Sequence, residues 1–409
     1  MKKSVLVILP WMPYPLDTGG NQVVFNMLEY VSRYFNLILY FPLFYKKDRK
    51  LLNEFEKEIN GKYCIRYSYL GLGFNQQTAY AIHYFFDKFF LRKDIQQIHS
   101  KYLWVKNRPN FTCLNIIHDI NDIICKERIK NVQIEFMPMI NIVYSLPKSI
   151  NKIFIHHEIQ FVKFERQLQN LDDRLLFDDY KCRLLKDAEL AALKQYDTIV
   201  TLTKTDKDIL VKEGVSSHIE ISPLFIPPHN GYPKIKFATN EIVFIGGAKH
   251  SPNVEALDWF VSEVFPLLEE KVLCRFYVVG NGWNKNKYIG KNIDFLGFVE
   301  DLSTFLPGKI MIVPILSGSG MRMKILEAVN NAVPFVSTTV GAEGMGFLSG
   351  VNCFIEDSPK DFCDAIYRLF NDKKLQEKFV INARRHYEDF FSSDVLGKKR
   401  VEILNDAFV

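Results

Sequence analysis

The run PILSGSGMRMKILEAVNNAVPFVST, Pro314 to Thr338, places Gly318, Ser319, Gly320 and Met321 ahead of two cations, Arg322 and Lys324. An apolar segment with one carboxylate, Glu327, follows. Ile325, Leu326 and Val329 form one apolar helical face, and Lys324 and Glu327 share another. The glycines permit a sharp turn and the close approach of a bulky group. The unpaired N–H groups of a first helical turn then point at that group and attract anions. Cations are unfavourable at a helix N-terminus unless an anion sits there, so Arg322 and Lys324 mark a phosphate or diphosphate site. Glu327, one turn further in, is placed to accept hydrogen bonds from sugar hydroxyls. The combination fits a sugar nucleotide.

Strands and helices must hold that peptide in place. SVLVILP opens the chain, WMPYPLDTGGNQ with Gly19 and Gly20 leads to a helix expected over Val23 to Arg33, and a strand follows near Leu37 to Phe41. Further strand candidates are YCIRYSYL, NVQIEF, NKIFIHH and DTIVTLT. The start lacks Gly-x-Gly-x-x-Gly and holds three prolines, which argues against a nicotinamide dehydrogenase. SPLFIPPHNGYPKIKF reads as a linker. After it come EIVFIGG, a helix over Val254 to Leu268, CRFYVVGNG, IDFLGFVED, KIMIVPI, PFVST and CFIED. Strands alternating with helices on both sides of a linker predict an α/β protein of two doubly wound parallel sheets.

The 409 residues suffice for two such domains, and 48% hydrophobic content fits a globular chain. Seven scattered cysteines without a Cys-x-x-Cys pair suggest neither a disulfide frame nor a zinc site. No run of about 20 apolar residues spans a bilayer, and Val5 to Leu9 is too short for a signal peptide, so a cytoplasmic protein is expected. The net charge of +5 is concentrated in residues 1–225, with 31 Lys and Arg against 25 Asp and Glu. That excess is too mild for a nucleic-acid protein, yet it suits peripheral contact with an anionic membrane face or a charged lipid carrier. Residues 80–108 interleave aromatics with lysine and arginine, read first as a core-facing stripe and second as an interfacial surface.

Taken in order, Gly19-Gly20, FIGGAKHSPN, VGNG, LGFVEDL, the Pro314 peptide, TVGAEGM and NARRHYEDF resemble the family 4 glycosyltransferases, which have the GT-B architecture of two Rossmann-like domains facing a central cleft. The resemblance implies residues 1–225 as an acceptor-side domain, 226–390 as a nucleotide-sugar domain, and 391–409 as a helix returning to the first domain. It implies retaining transfer of a sugar from a nucleoside diphosphate sugar to a glycan or lipid-linked acceptor hydroxyl, without metal or cofactor, with bacterial cell-surface polysaccharide assembly as the expected setting. His157, Arg322 and Lys324 take the catalytic positions. Gly19, Gly20, Gly246, Gly247, Gly280, Gly282, Phe298, Gly318, Ser319, Gly320, Met321, Glu327, Glu343 and Gly344 take donor-binding positions, with Glu135, His156 and Glu158 as further cleft candidates. The chain departs from the common Glu-x7-Glu pattern, since Ser319 stands where the first glutamate falls. Ala248 and Asn253 lie near positions commonly held by arginine and lysine after the first strand of the second domain.

Other patterns carry less. Asp206-x-Asp208 resembles a metal motif, but Thr205 with Asp208 reads as a helix capping box. His118 with Asp119 imitates an acid/base pair and matches the family poorly. A non-catalytic nucleotide-sugar or glycan binder and a sugar-nucleotide epimerase remain the alternatives on this architecture; a phosphorylase would need a pyridoxal lysine site that the sequence does not display.

Overall fold

The computed structural model describes residues 2–16, 18–45, 48–69, 114–169, 175–228, 231–288 and 292–407. The aromatic and basic residues 80–108 lie outside them.

Two parallel sheets organise the chain. The first holds β1 (Ser4–Ile8), β2 (Asn36–Leu43), β3 (Cys64–Tyr69), β4 (Asn131–Glu135), β5 (Asn151–His156), β6 (Thr198–Thr201) and β7 (His218–Ile221), in the order β3-β2-β1-β4-β5-β6-β7. The second holds β8 (Glu241–Ile245), β9 (Arg275–Val279), β10 (Ile293–Gly297), β11 (Ile310–Val313), β12 (Phe335–Ser337) and β13 (Phe354–Ile355), in the order β10-β9-β8-β11-β12-β13. All paired strands run parallel. Inner strands such as β1 and β11 are near-continuous apolar runs because both faces are covered. In each sheet the order reverses once, between β1 and β4 and between β8 and β11. Ligand crevices form at such reversals, outside the carboxyl ends of the strands.

Four helices bear on the site: α1 (Gly19–Val31), α2 (Gln160–Gln169), α3 (Met323–Asn330) and α4 (Ser393–Asp406). Helix α1 begins earlier than Val23, because the Thr18 side chain accepts from the Asn21 N–H and caps it. Gly19 and Gly20 therefore occupy a first helical turn, which corrects the reading of a glycine loop. The cap before Lys204–Lys212 is likewise Thr203, not Thr205: its hydroxyl accepts from the Asp206 N–H and bonds the Asp206 carboxylate at 2.7 Å. Asp208 pairs with Lys204 on the surface. The helical stretch expected over Val254 to Leu268 runs from Ser251 to Lys271, with a π-turn at Phe260–Val264. Helix α4 returns to the first sheet's layer, where Gly397 leaves room for the Tyr30 ring and the buried Arg400 bonds Ser222. The Ala407 carbonyl accepts from the Asn151 side chain at 2.8 Å.

Candidate donor-binding site

The N-termini of α1 and α3 meet between the lobes. A Cβ at Gly19 would lie 3.5 Å from the Met323 Cβ, ordinary van der Waals contact. Neither helix carries an acidic residue in its first turn, so the partial positive charge of both ends is left without an internal counter-ion.

Arg322 sits at this junction as the residue that precedes α3. Its Nη1 donates to the carbonyls of Ser319 and Gly320, while Nε and Nη2 are buried without a hydrogen-bond partner among the described residues. Burial lowers its proton affinity, and the carboxylates of Glu158, Glu343 and Asp206 act in the opposite direction. Two orphan donors on a buried cation cost free energy, so the group is set for an acceptor from outside.

Lys324 reaches the other sheet reversal. Its ammonium donates to Asn253 Oδ1 at 2.9 Å and lies 4.4 Å from the centre of the Phe244 ring. Asn253 in turn donates to the Gly247 carbonyl at 2.9 Å. Asn253, in the peptide after β8, is thus bonded to a cation from α3. Burial, aided by repulsion from Arg322, pulls Lys324 down to about 7. An anion here would restore its charge.

Glu327 is buried one turn into α3, with Asn331 Nδ2 3.4 Å from its carboxylate. Burial pushes it up to about 7. Its ionisation therefore opposes folding: stability falls as pH rises from the ordinary carboxylate value of 4.5 through about 7, and the full penalty applies above that. Glu327→Gln is expected to raise the stability of the free protein at pH 8 by about 1–3 kcal/mol, read by urea unfolding.

The first lobe supplies an imidazole. His157 follows β5 and bonds Glu135 Oε2 at 2.5 Å through Nε2, while Phe136 stacks on its ring at 3.8 Å between centroids. Gln133 holds the other carboxylate oxygen of Glu135 at 2.6 Å. Phe136 also packs on Trp11 and lies beside Gly20, which ties the imidazole to the start of α1. His156 is corrected as a cleft residue: it is buried in β5 and bonds Glu189 Oε1 at 3.0 Å. Glu158 is raised by burial, but the charges of Lys163, His250 and Arg322 outweigh this and hold it below its usual range. Its carboxylate accepts from Gln160 and Lys163, each at 2.9 Å.

The glycine peptide is gripped from both lobes. Gly320, at φ +76°, leaves no room for a side chain: a Cβ would fall 2.2 Å from the His157 carbonyl oxygen. Ser319 Oγ accepts from the Ile159 N–H at 2.6 Å, an inter-lobe bond that engages the hydroxyl read as donor-facing. Met321 Sδ lies 3.3 Å from the Leu224 nitrogen of the connecting segment. Gly344 packs against Thr203 of the first lobe. Glu343 forms a two-pronged ion pair with Arg166 of α2, at 2.6 and 2.8 Å. Arg166 escaped the sequence reading; a lone arginine in an amphipathic surface helix gives no local sign of a partner 177 residues away.

The turns after β8, β9 and β10 pack against one another at the carboxyl ends of those strands. The Gly246 N–H bonds the Val279 carbonyl at 2.8 Å, and the Gly280 N–H bonds that of Gly297 at 2.7 Å. Gly280, at φ +131°, lies so close to Gly246 that any Cβ would strike the latter's carbonyl. Gly282 and Gly247 flank Asn281 here, and Phe298 is exposed beyond β10. His118 and Asp119 lie on the Leu114–Lys126 helix, where Asp119 accepts from Ser68.

Comparison with known proteins bears on the fold and on the second lobe. Residues 239–372 match the family model for glycosyl transferases group 1. A curated relative, an uncharacterised 44.6 kDa protein in the cps region of Klebsiella pneumoniae, is 25% identical over 231 residues, 52% of each chain. The match thus spans about half the length of that relative. Among solved structures, sucrose-phosphate synthase from Thermosynechococcus elongatus has a TM-score of 0.70 at 12% identity, covering 100% of this chain and 99% of that one. S. aureus TarM, as a variant complexed with fondaparinux, alpha-GlcNAc-glycerol and UDP, has 0.69 at 12%, covering 98% and 100%. Anabaena HepE with UDP-glucose has 0.65 at 9%, covering 98% and 99%. At these identities the likeness establishes the fold. The chain is therefore a GT-B protein whose second lobe matches the glycosyl transferases group 1 family.

Proposed function

We propose that this protein is a retaining glycosyltransferase that moves a sugar from a nucleoside diphosphate sugar to a hydroxyl of a glycan or lipid-linked acceptor, in the assembly of a cell-surface polysaccharide. The observation that carries the reading is the junction of two helix N-termini at which a buried arginine has two unengaged donors. The family match over the second lobe supports the reaction class, and the relative in a cps region supports the polysaccharide setting. UDP in the TarM and HepE structures supports a nucleoside diphosphate as the ligand type.

The mechanism follows from where charge grows. As the bond from the anomeric carbon to the diphosphate lengthens, negative charge accumulates on the leaving oxygens. Arg322, Lys324 and the start of α3 stabilise it more in the transition state than in the ground state. Glu327 holds the ribose. His157, fixed by Glu135 and Phe136, faces the donor sugar. The leaving phosphate oxygen takes the proton of the acceptor hydroxyl on the same face, which gives retention without a protein nucleophile. With phosphate charge met by side chains and helix ends, this reaction requires no metal. Closure between lobes orients the reactants and limits hydrolysis.

The basic excess of residues 1–225 suits peripheral attachment at the inner face of a membrane, beside a lipid-linked acceptor. Among the described residues no helix is long and apolar enough to cross a membrane.

A thermal-shift panel of nucleoside diphosphates and their sugars tests the donor class. At one hundred times its dissociation constant the matching ligand is expected to add about 2.7 kcal/mol of stability, a rise of several degrees, and its monophosphate much less. Absence of stabilisation by every nucleoside diphosphate would overturn the reading.

A further inference from the structure

We propose that Arg166 is a positioning residue that makes the anion site depend on lobe closure, an inference that rests on the donor site described above. Arg166 belongs to the first lobe, yet its guanidinium engages two separate loops of the second. Nη1 donates to the Gly318 carbonyl at 2.5 Å and to Glu343 Oε2 at 2.6 Å, and Nη2 donates to Glu343 Oε1 at 2.8 Å. Gly318 lies at φ +114°, where its own sterics leave the peptide free to turn. Arg166 fixes the direction of its carbonyl. One residue on, the Ser319 carbonyl accepts from Arg322, so the orientation of this short peptide sets where the Arg322 fork points.

Helix α2 is a firm base for this contact. The buried Glu189 carboxylate accepts from the Gln160 and Phe161 N–H groups at 3.1 and 3.0 Å, holding the first turn of α2 to the first lobe. Further along the same seam Gln167 bonds Ser251 at 2.8 Å, and Lys163 approaches His250 at 3.5 Å. Separating the lobes must therefore break the Arg166 fork, and breaking the fork frees the Gly318 carbonyl. Donor affinity is then the intrinsic affinity scaled by the fraction of closed molecules. A planar fork of fixed spacing does this; a lysine ammonium cannot reach both Glu343 oxygens and the carbonyl together.

The test is calorimetric titration of UDP and the other nucleoside diphosphates into the full chain, with Arg166→Gln, Arg166→Lys, Glu343→Gln and the double variant, alongside small-angle scattering without ligand. Each single change is expected to weaken binding about 10–50-fold, and the double change no more than the larger single one, because the two residues act as one contact. Arg166→Lys is expected not to restore affinity, and Arg166→Gln to increase the radius of gyration while the melting temperature shifts by only a few degrees. Wild-type affinity in Arg166→Gln, or strictly additive losses, would overturn the inference. Should the wild type bind no nucleoside diphosphate, the donor-site reading fails; the scattering comparison still decides closure, and an unchanged radius sinks the Arg166 role.

Discussion

Arg322→Ala is expected to lower kcat/KM for sugar transfer by about 10³-fold, the scale of losing a preorganised donor to a developing anion. It is also expected to abolish the thermal shift produced by nucleoside diphosphates. The native fold should survive, since the deleted guanidinium leaves behind fewer unpaired buried donors than it brought. Circular dichroism and a melting curve check that, and steady-state kinetics check the rest. Arg322→Lys should recover only part of the activity, because the three donors of an ammonium radiate from one nitrogen and cannot reproduce the planar spacing of Nε and Nη2. A further consequence follows at Lys324. Repulsion from Arg322 contributes to the lowered ammonium pKa, so the alanine variant should shift the alkaline side of any remaining pH dependence upward.

The second large effect is a dependence of donor affinity on pH with a maximum near 7. Lys324, pulled down to about 7 by burial, must carry its proton to meet a diphosphate, so a bound anion raises its pKa. Above pH 7 binding then takes up a proton, and affinity is expected to fall by up to about tenfold per pH unit until the bound-state value is passed. Glu327 gives the opposite limb. It is pushed up to about 7 by burial in the free protein, and ribose hydroxyls favour its charged form, so below pH 7 binding releases a proton and affinity rises with pH. Titrations in buffers of different ionisation enthalpy read both proton counts directly. Lys324→Met should flatten the alkaline limb and Glu327→Gln the acid limb; affinity independent of pH from 6 to 9 would contradict both assignments.

Much of this architecture can be read from the chain, and the misses have physical reasons. Parallel strands covered on both faces, such as VLVI in β1 and IMIV in β11, stand out as apolar runs bounded by turn residues. The edge strand β7 does not: HIEI is short, and its His218 and Glu220 pair with each other at its surface. The start of α1 is obscured because two glycines imitate a loop, while a single hydroxyl at Thr18 is enough to cap a helix over them. His156 and His157 are adjacent at the end of a strand buried on both faces, so alternation does not separate them; His156 ends the strand in the core and His157 follows it.

Within the site, the local pattern stands in the sequence and its cross-lobe setting does not. Gly318 to Glu327 places two cations at a helix start, the pattern on which the proposed anion site rests. The meeting of α1 with α3, the bond from Ile159 to Ser319 and the fork from Arg166 to Glu343 join residues more than 150 positions apart. Such contacts are properties of packing. At Ser319 the hydroxyl accepts from the opposite lobe's backbone at Ile159, and the next residue, Gly320, lies against the His157 carbonyl.

The most direct measurement is a crystal of the protein soaked with a nucleoside diphosphate, with phosphorus positions located by long-wavelength anomalous scattering. The account predicts both phosphorus atoms at the junction of α1 and α3, with phosphate oxygens within hydrogen-bond reach of Arg322 Nη2 and Lys324 Nζ and ribose hydroxyls on Glu327. Phosphorus peaks in another crevice, with Arg322 still unengaged, would contradict it.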